Sequence, residues 1–160
     1  MKPTTLYTFG YEGLELPAFI SRLREVGVQT VVDVREFPLS RKKGFSKTAF
    51  GGRLADEGIA YCHVPALGCP KDVRDAYRID GDWDRYTRGF LRHLDEQDEP
   101  VRELVKLARS TTACLVCFEA DFSACHRTYV GRAANRVGGP QLKHLTAKTV
   151  FADQPLRVAA

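Results

Sequence analysis

Hydrophobic positions change their period along the chain, and the changes mark its elements. Residues 4–9 are rich in β-forming side chains and end at Gly10, a pattern that predicts a strand running into a sharp turn. Phe19, Ile20, Leu23 and Val26 then recur at helical spacing, with Pro17 near the first turn and Gly27 at the end. Residues 28–34 form a short, mostly apolar run of the kind buried on both faces of a parallel sheet. A second helix is predicted over 46–57, capped by Ser46 and stopped by Gly58, followed by a third strand over 59–64. After Pro65 the pattern is irregular until residues 83–94 and 101–108, which read as two helices; Val101, Leu104, Val105 and Ala108 mark the buried stripe of the latter.

Residues 113–118 are the most apolar segment and predict a central strand. A helix with Val130, Ala133, Ala134 and Val137 on its apolar face follows, stopped by Gly138-Gly139-Pro140, and residues 142–145 predict a last strand. Strands alternating with helices in this order predict an α/β fold: an open, mostly parallel sheet with helices on both faces. One domain is expected over 1–150, with 65–99 as an insertion or lid and 151–160 as a C-terminal tail.

Composition narrows the class. With 44% hydrophobic and 28% charged residues, the chain falls in the globular range, which excludes disorder and low complexity. No apolar run approaches the ~18 residues that cross a bilayer, and the N-terminus lacks the pattern of a signal peptide, so no membrane association and a cytoplasmic location are expected. Five cysteines, an odd number, read as reduced thiols.

The net charge of +4 says less than its distribution. Arg35, Arg41, Lys42, Lys43, Lys47 and Arg53 face the single acid Glu36 within residues 35–53, a segment suited to anions. Residues 72–99 carry nine acids against five arginines, a segment that repels them.

In an open parallel sheet, ligands bind beyond the carboxyl ends of the strands. The segments leaving those ends are 10–13, 35–44, 63–68 and 119–127, and they hold most of the chemically able side chains. Asp121 or Ser123 can cap the last long helix, which places Cys125, His126 and Arg127 in its first turn, where the dipole and unpaired N–H groups favour negative charge. Cys125 is the candidate nucleophile there; the alternative is a thiol packed inward as a small apolar group. Glu119 reads either as an acid/base or as the partner of Arg35 or Arg127, and Asp33 as a group that holds an arginine or caps a turn.

Several motifs fail on spacing. Cys114 and Cys117 point to opposite faces of a strand, as do Cys62 and His63, so neither pair makes a metal clamp. A set of Cys117, Cys125, His126 and a distant His63 has no ligand-pair spacing, so no metal and no cofactor are expected. The phosphatase cysteine-arginine spacing, the nucleotide phosphate loop and the dinucleotide fingerprint are all missing.

Gly10-Tyr11-Glu12, Val32 to Arg35 with Pro38, Ser40-Arg41, Gly44 to Lys47, Tyr61, His63, Leu67-Gly68, Cys117, Glu119, Cys125-His126-Arg127 and His144-Leu145 together resemble the prokaryotic family called domain of unknown function 488. The resemblance runs from about Leu6 to Leu145. It implies a single Rossmann-like domain and supplies no activity.

Three functions remain open. The first is an enzyme acting on a phosphate-bearing small molecule, a nucleotide or a nucleic-acid end. Arg35, Arg41, Lys42 and Arg127 would hold the anion, Cys125, His126 and Glu119 would be catalytic, and Tyr11, Glu12, Asp33, Phe45, Tyr61 and His63 would line the pocket. The second is a nucleic-acid-binding module in which Phe45, Tyr11 or Trp83 stacks on bases. The third is a structural or regulatory protein whose polar cluster is a buried network.

Overall fold

The computed structural model describes residues 2–154. Strands β1 (Thr5–Gly10), β2 (Thr30–Asp33), β3 (Ala60–His63), β4 (Ala113–Cys117), β5 (Gln141–Leu145) and β6 (Val150–Ala152) form a single mixed sheet in the order β3-β2-β4-β1-β5-β6. The first five run parallel, and β6 returns antiparallel along β5. The fold is α/β, with helices on both faces.

Strand periodicity sorts the core into two layers. Phe9, Val31, Cys114, Val116 and Leu145 point to one face, where Phe19 and Leu23 of α1 (Leu16–Glu25) and Phe50 and Leu54 of α2 (Lys47–Asp56) cover them. Leu6, Val32, Leu115 and Leu142 point to the other. They meet Phe90 of α4 (Trp83–Asp95), Leu104 and Ala108 of α5 (Asp98–Ser110), and Val130 and Ala134 of α6 (His126–Arg136). Cys114 and Cys117 fall on opposite faces, as the odd spacing requires.

The structure departs from the sequence pattern at four places. Residues expected to be irregular form α3 (Lys71–Asp80), a helix without a fully buried side chain that lays Val73 on Gly89 of α4 and Tyr77 on Trp83 and Tyr86. Its many charges hid an apolar stripe too narrow to read. Ser46 stands at the N-cap of α2, but its hydroxyl bonds to the Ser40 carbonyl instead of capping. Asp121 caps a 3₁₀ turn at Phe122–Ala124, so Cys125 becomes the N-cap of α6 rather than part of its first turn. Finally, β6 lies partly in the expected tail; residues 155–160 of that tail lie outside the described residues. No helix among the described residues is long and apolar enough to cross a membrane.

Candidate functional site

Parallel strand order brings the loops after β1, β2, β3 and β4 to one rim, and two glycines let them pack closely. A Cβ on Gly10 would fall 1.7 Å from the Glu119 carbonyl oxygen, and one on Gly68 would fall 2.4 Å from the Glu36 nitrogen. Only glycine allows the loop after β4 to cross the end of β1, and the loop after β3 to cross that after β2.

Beneath the rim, on the α1/α2 side of the sheet, Asp33 is fully buried and saturated. It accepts from the Arg35 backbone N–H at 3.1 Å, from Arg35 Nε at 2.8 Å and NH2 at 2.7 Å, and from the Tyr61 hydroxyl at 2.6 Å. The remaining Arg35 nitrogen donates to the Tyr11 hydroxyl at 3.0 Å. Burial alone would lower the Arg35 pKa, but hydrogen bonding and charge from Asp33 outweigh it and raise it. Burial and the same carboxylate push the Tyr61 phenol up. His63 contacts the Arg35 carbonyl through Nε2 at 2.7 Å, which ties β3 to this network.

On the α4–α6 side, the end of β4 meets the start of α6. The sulfurs of Cys117 and Cys125 come into contact, and His126 Nδ1 lies 3.9 Å from the Cys125 sulfur. The ligand atoms of Cys117, Cys125 and His126 all fall within 4.8 Å of one another, and all three residues are buried. Glu119 Oε2 is 3.5 Å from the Cys117 sulfur. Burial brings His126 down to about 4, so the ring is neutral, and its Nε2–H donates to the Val34 carbonyl at 2.6 Å. Arg127 is fully buried behind this group: it donates to the Cys117 sulfur at 3.0 Å and to the carbonyls of Glu119 and Ala120. Burial lowers its pKa to about 10. All five cysteines read as reduced thiols in the sequence, but the fold brings the Cys117 and Cys125 sulfurs together as a disulfide pair, while Cys62, Cys69 and Cys114 are free.

Between these two networks opens a cleft of about 590 Å³. Arg41, Arg74 and Arg78 stand along it with the aromatic rings of Phe37, Tyr77, Trp83 and Tyr86, and Cys117, Glu119 and His126 meet it from β4 and α6. Arg74 is engaged by Glu36 at 2.9 Å, whereas the nearest acid to Arg78 is 3.9 Å away. Arg41 makes no ion pair among the described residues and is exposed. Cys69 also lines the cleft, with burial pushing its thiol up to about 11.

Tyr11, Arg35, Arg41, Glu119 and His126 are therefore brought to one cleft. Other candidates lie elsewhere. Phe45 is fully buried, stacked beneath Tyr11 at 4.3 Å, because its ring completes the aromatic core around Phe19 and Phe50. Glu12 accepts from the Ala120 N–H at 3.0 Å, and Lys42 leans toward Glu15 at 3.7 Å. Asp33, Tyr61 and His63 support the floor without lining it, Arg127 sits behind it, and the Cys125 sulfur is covered. Arg35 has its guanidinium committed to Asp33 and Tyr11, so Arg41 and Arg78 are the cations left for a ligand.

Arg74, Arg78 and Tyr77 were missed in the sequence because the negative balance of 72–99 masked them. The available signal was their spacing: three and four residues apart, they share one helix face.

The sheet and its cleft define an open α/β protein with its candidate site beyond the carboxyl ends of parallel strands. The chain belongs to the family described as domain of unknown function DUF488, whose model matches residues 15–134. No curated protein and no solved structure matches it significantly.

Proposed function

We propose that the cleft binds and acts on a phosphate-bearing small molecule of nucleotide size. The observation that carries this is the arrangement of the walls: Arg41 and Arg78 without tight acidic partners on one side, aromatic rings beside them, and a floor of thiol, carboxylate and imidazole. A volume of about 590 Å³ lies within the range of roughly 300–1,000 Å³ typical of small-molecule pockets. Guanidinium groups would hold the phosphate by charge-assisted hydrogen bonds, Trp83 and Tyr77 would flank a planar group, and the reacting part would lie against Glu119 and Cys117.

Titration calorimetry with inorganic phosphate and a nucleoside monophosphate tests this. The nucleotide is expected to bind more tightly than phosphate, and Arg41→Ala or Arg78→Ala to weaken it about tenfold, the loss of one charge-assisted hydrogen bond. Absence of binding by either probe at millimolar concentration would refute the proposal. An oligonucleotide that binds tightly, with affinity falling steeply as salt rises, would replace it with nucleic-acid binding.

A further inference from the structure

Three observations at the floor of the cleft are not explained by anion binding. The first is the convergence of two sulfurs and one imidazole nitrogen within 4.8 Å in a buried position. Cys117 ends a strand and Cys125 stands at the N-cap position of a helix, so the meeting is made by the fold and not by a local sequence motif.

The second is the tautomer of His126. A carbonyl can only accept, so the 2.6 Å contact between Nε2 and the Val34 oxygen puts the ring proton on Nε2. Nδ1 is left with its lone pair directed to the side where the Cys125 sulfur lies. Metal-binding histidines are typically oriented in this way, with the far nitrogen donating to a backbone carbonyl.

The third is the company of Arg127. A fully buried guanidinium costs several kcal/mol unless negative charge lies close by. Its polar contacts among the described residues are the Cys117 sulfur and two backbone carbonyls, with no carboxylate among them. The Cys117 sulfur thus accepts a hydrogen bond from a buried cation at 3.0 Å, leaving it in the electron-rich role that a metal-ligating sulfur takes. Glu119 brings its carboxyl group to within 3.5 Å of the Cys117 sulfur from the cleft side.

We propose that Cys117, Cys125 and His126 form a binding site for a divalent transition-metal ion, zinc by preference, with a fourth position open to the cleft beside Glu119. Thiolate and imidazole donors suit zinc and iron(II) and disfavour magnesium and calcium. Three protein donors with one open position are the arrangement of catalytic rather than structural zinc. A disulfide is the competing state of the two cysteines. Their Cα atoms are 7.9 Å apart, beyond the roughly 4.4–6.8 Å that the bond usually spans. Placement of the ion beneath a ligand rests on the cleft function proposed above; retention of the ion does not.

The test uses the full chain purified under reducing conditions. After removal of bound metal, titration with cobalt(II) should give a sulfur-to-cobalt charge-transfer band that saturates at one ion per chain and is displaced by zinc. Cys117→Ser, Cys125→Ser and His126→Asn should each weaken cobalt binding by more than about 100-fold, the upper end of what loss of a mere supporting contact produces. Cys62→Ser, a free cysteine outside the cleft, should bind cobalt as the unaltered protein does.

Should the cysteine variants fail to fold, zinc added to the unaltered protein should still raise its melting temperature in a concentration-dependent way. The proposal is overturned if excess cobalt gives no band and zinc no stabilisation, or if the band survives in both cysteine variants. It is equally overturned if the cysteines remain an intramolecular disulfide, shown by mass after alkylation, in excess reductant. Phosphate binding is measured on the same samples. One cobalt ion per chain without any nucleotide affinity leaves the metal site standing and removes the cleft function; nucleotide affinity without a cobalt band does the reverse.

Discussion

Replacing Asp33 with alanine removes the one acceptor on which four donors converge. Arg35 loses the partner of its backbone N–H, Nε and NH2, and the Tyr61 hydroxyl loses its acceptor at 2.6 Å. The Arg35 side chain is only 8% exposed, so its charge stays buried without compensation. Breaking a buried pair from one side costs about 3–5 kcal/mol. For a domain of this size that corresponds to a melting temperature lower by roughly 6–20 °C. Urea unfolding measures the change as a lower midpoint at an unchanged slope. The double variant Asp33→Ala with Arg35→Met should recover more than about 1 kcal/mol of the loss, because the uncompensated charge is then gone. An Asp33→Ala protein within about 1 kcal/mol of the parent would refute the reasoning, since that is the contribution of an exposed pair.

Gly10→Ala should destabilise the chain by more than about 2 kcal/mol, because a Cβ 1.7 Å from the Glu119 carbonyl forces the loop after β4 off the end of β1; an unchanged urea midpoint would show that the loop shifts freely. A pH effect is expected where β5 meets β6. His144 takes a hydrogen bond from Thr8 at 2.7 Å and donates to Asp153 at 2.8 Å, while Phe122 stacks on its ring and Arg132 pairs with Asp153 at 3.0 Å. Burial lowers the His144 pKa, so below about pH 6.5 the unfolded chain binds a proton that the folded one resists, and stability falls as pH drops. Asp153, despite burial acting upward, is held below the usual carboxylate range by hydrogen bonds from Arg132 and His144; its contribution is present above that range and is lost as pH falls through its lowered value. Both terms have the same sign. His144→Gln should therefore show a shallower loss of unfolding free energy between pH 6.5 and 5 than the parent, and identical slopes would show that the histidine is not coupled to folding.

Periodicity by itself determined the alternation of strands and helices, the parallel core of the sheet, and hence the rim on which the loops meet. This information is local: a run buried on both faces, or a stripe at helical spacing, needs no knowledge of its partner. The stop signals were equally readable, since Gly27 and Gly58 take the positive φ that ends a helix. Less was legible where a short element depends on its neighbour. The apolar side of α3 is meaningful only against α4, and β6 exists because β5 offers it an edge.

Tertiary structure alone decided which side chains are spent and which remain available. Arg35 stood out in the sequence as an anion ligand, but Asp33, two residues away, takes its guanidinium because both side chains fall on the same side of β2 as it ends. Phe45 joined the core, and the covered sulfur of Cys125 came to face Cys117 and His126. The direction of a side chain at a strand end depends on sheet parity and on the path of the following loop, and that path is set by distant packing such as Gly10 beneath Glu119. Residue type and spacing indicate what a group can do chemically; only the packed loops determine what it can reach.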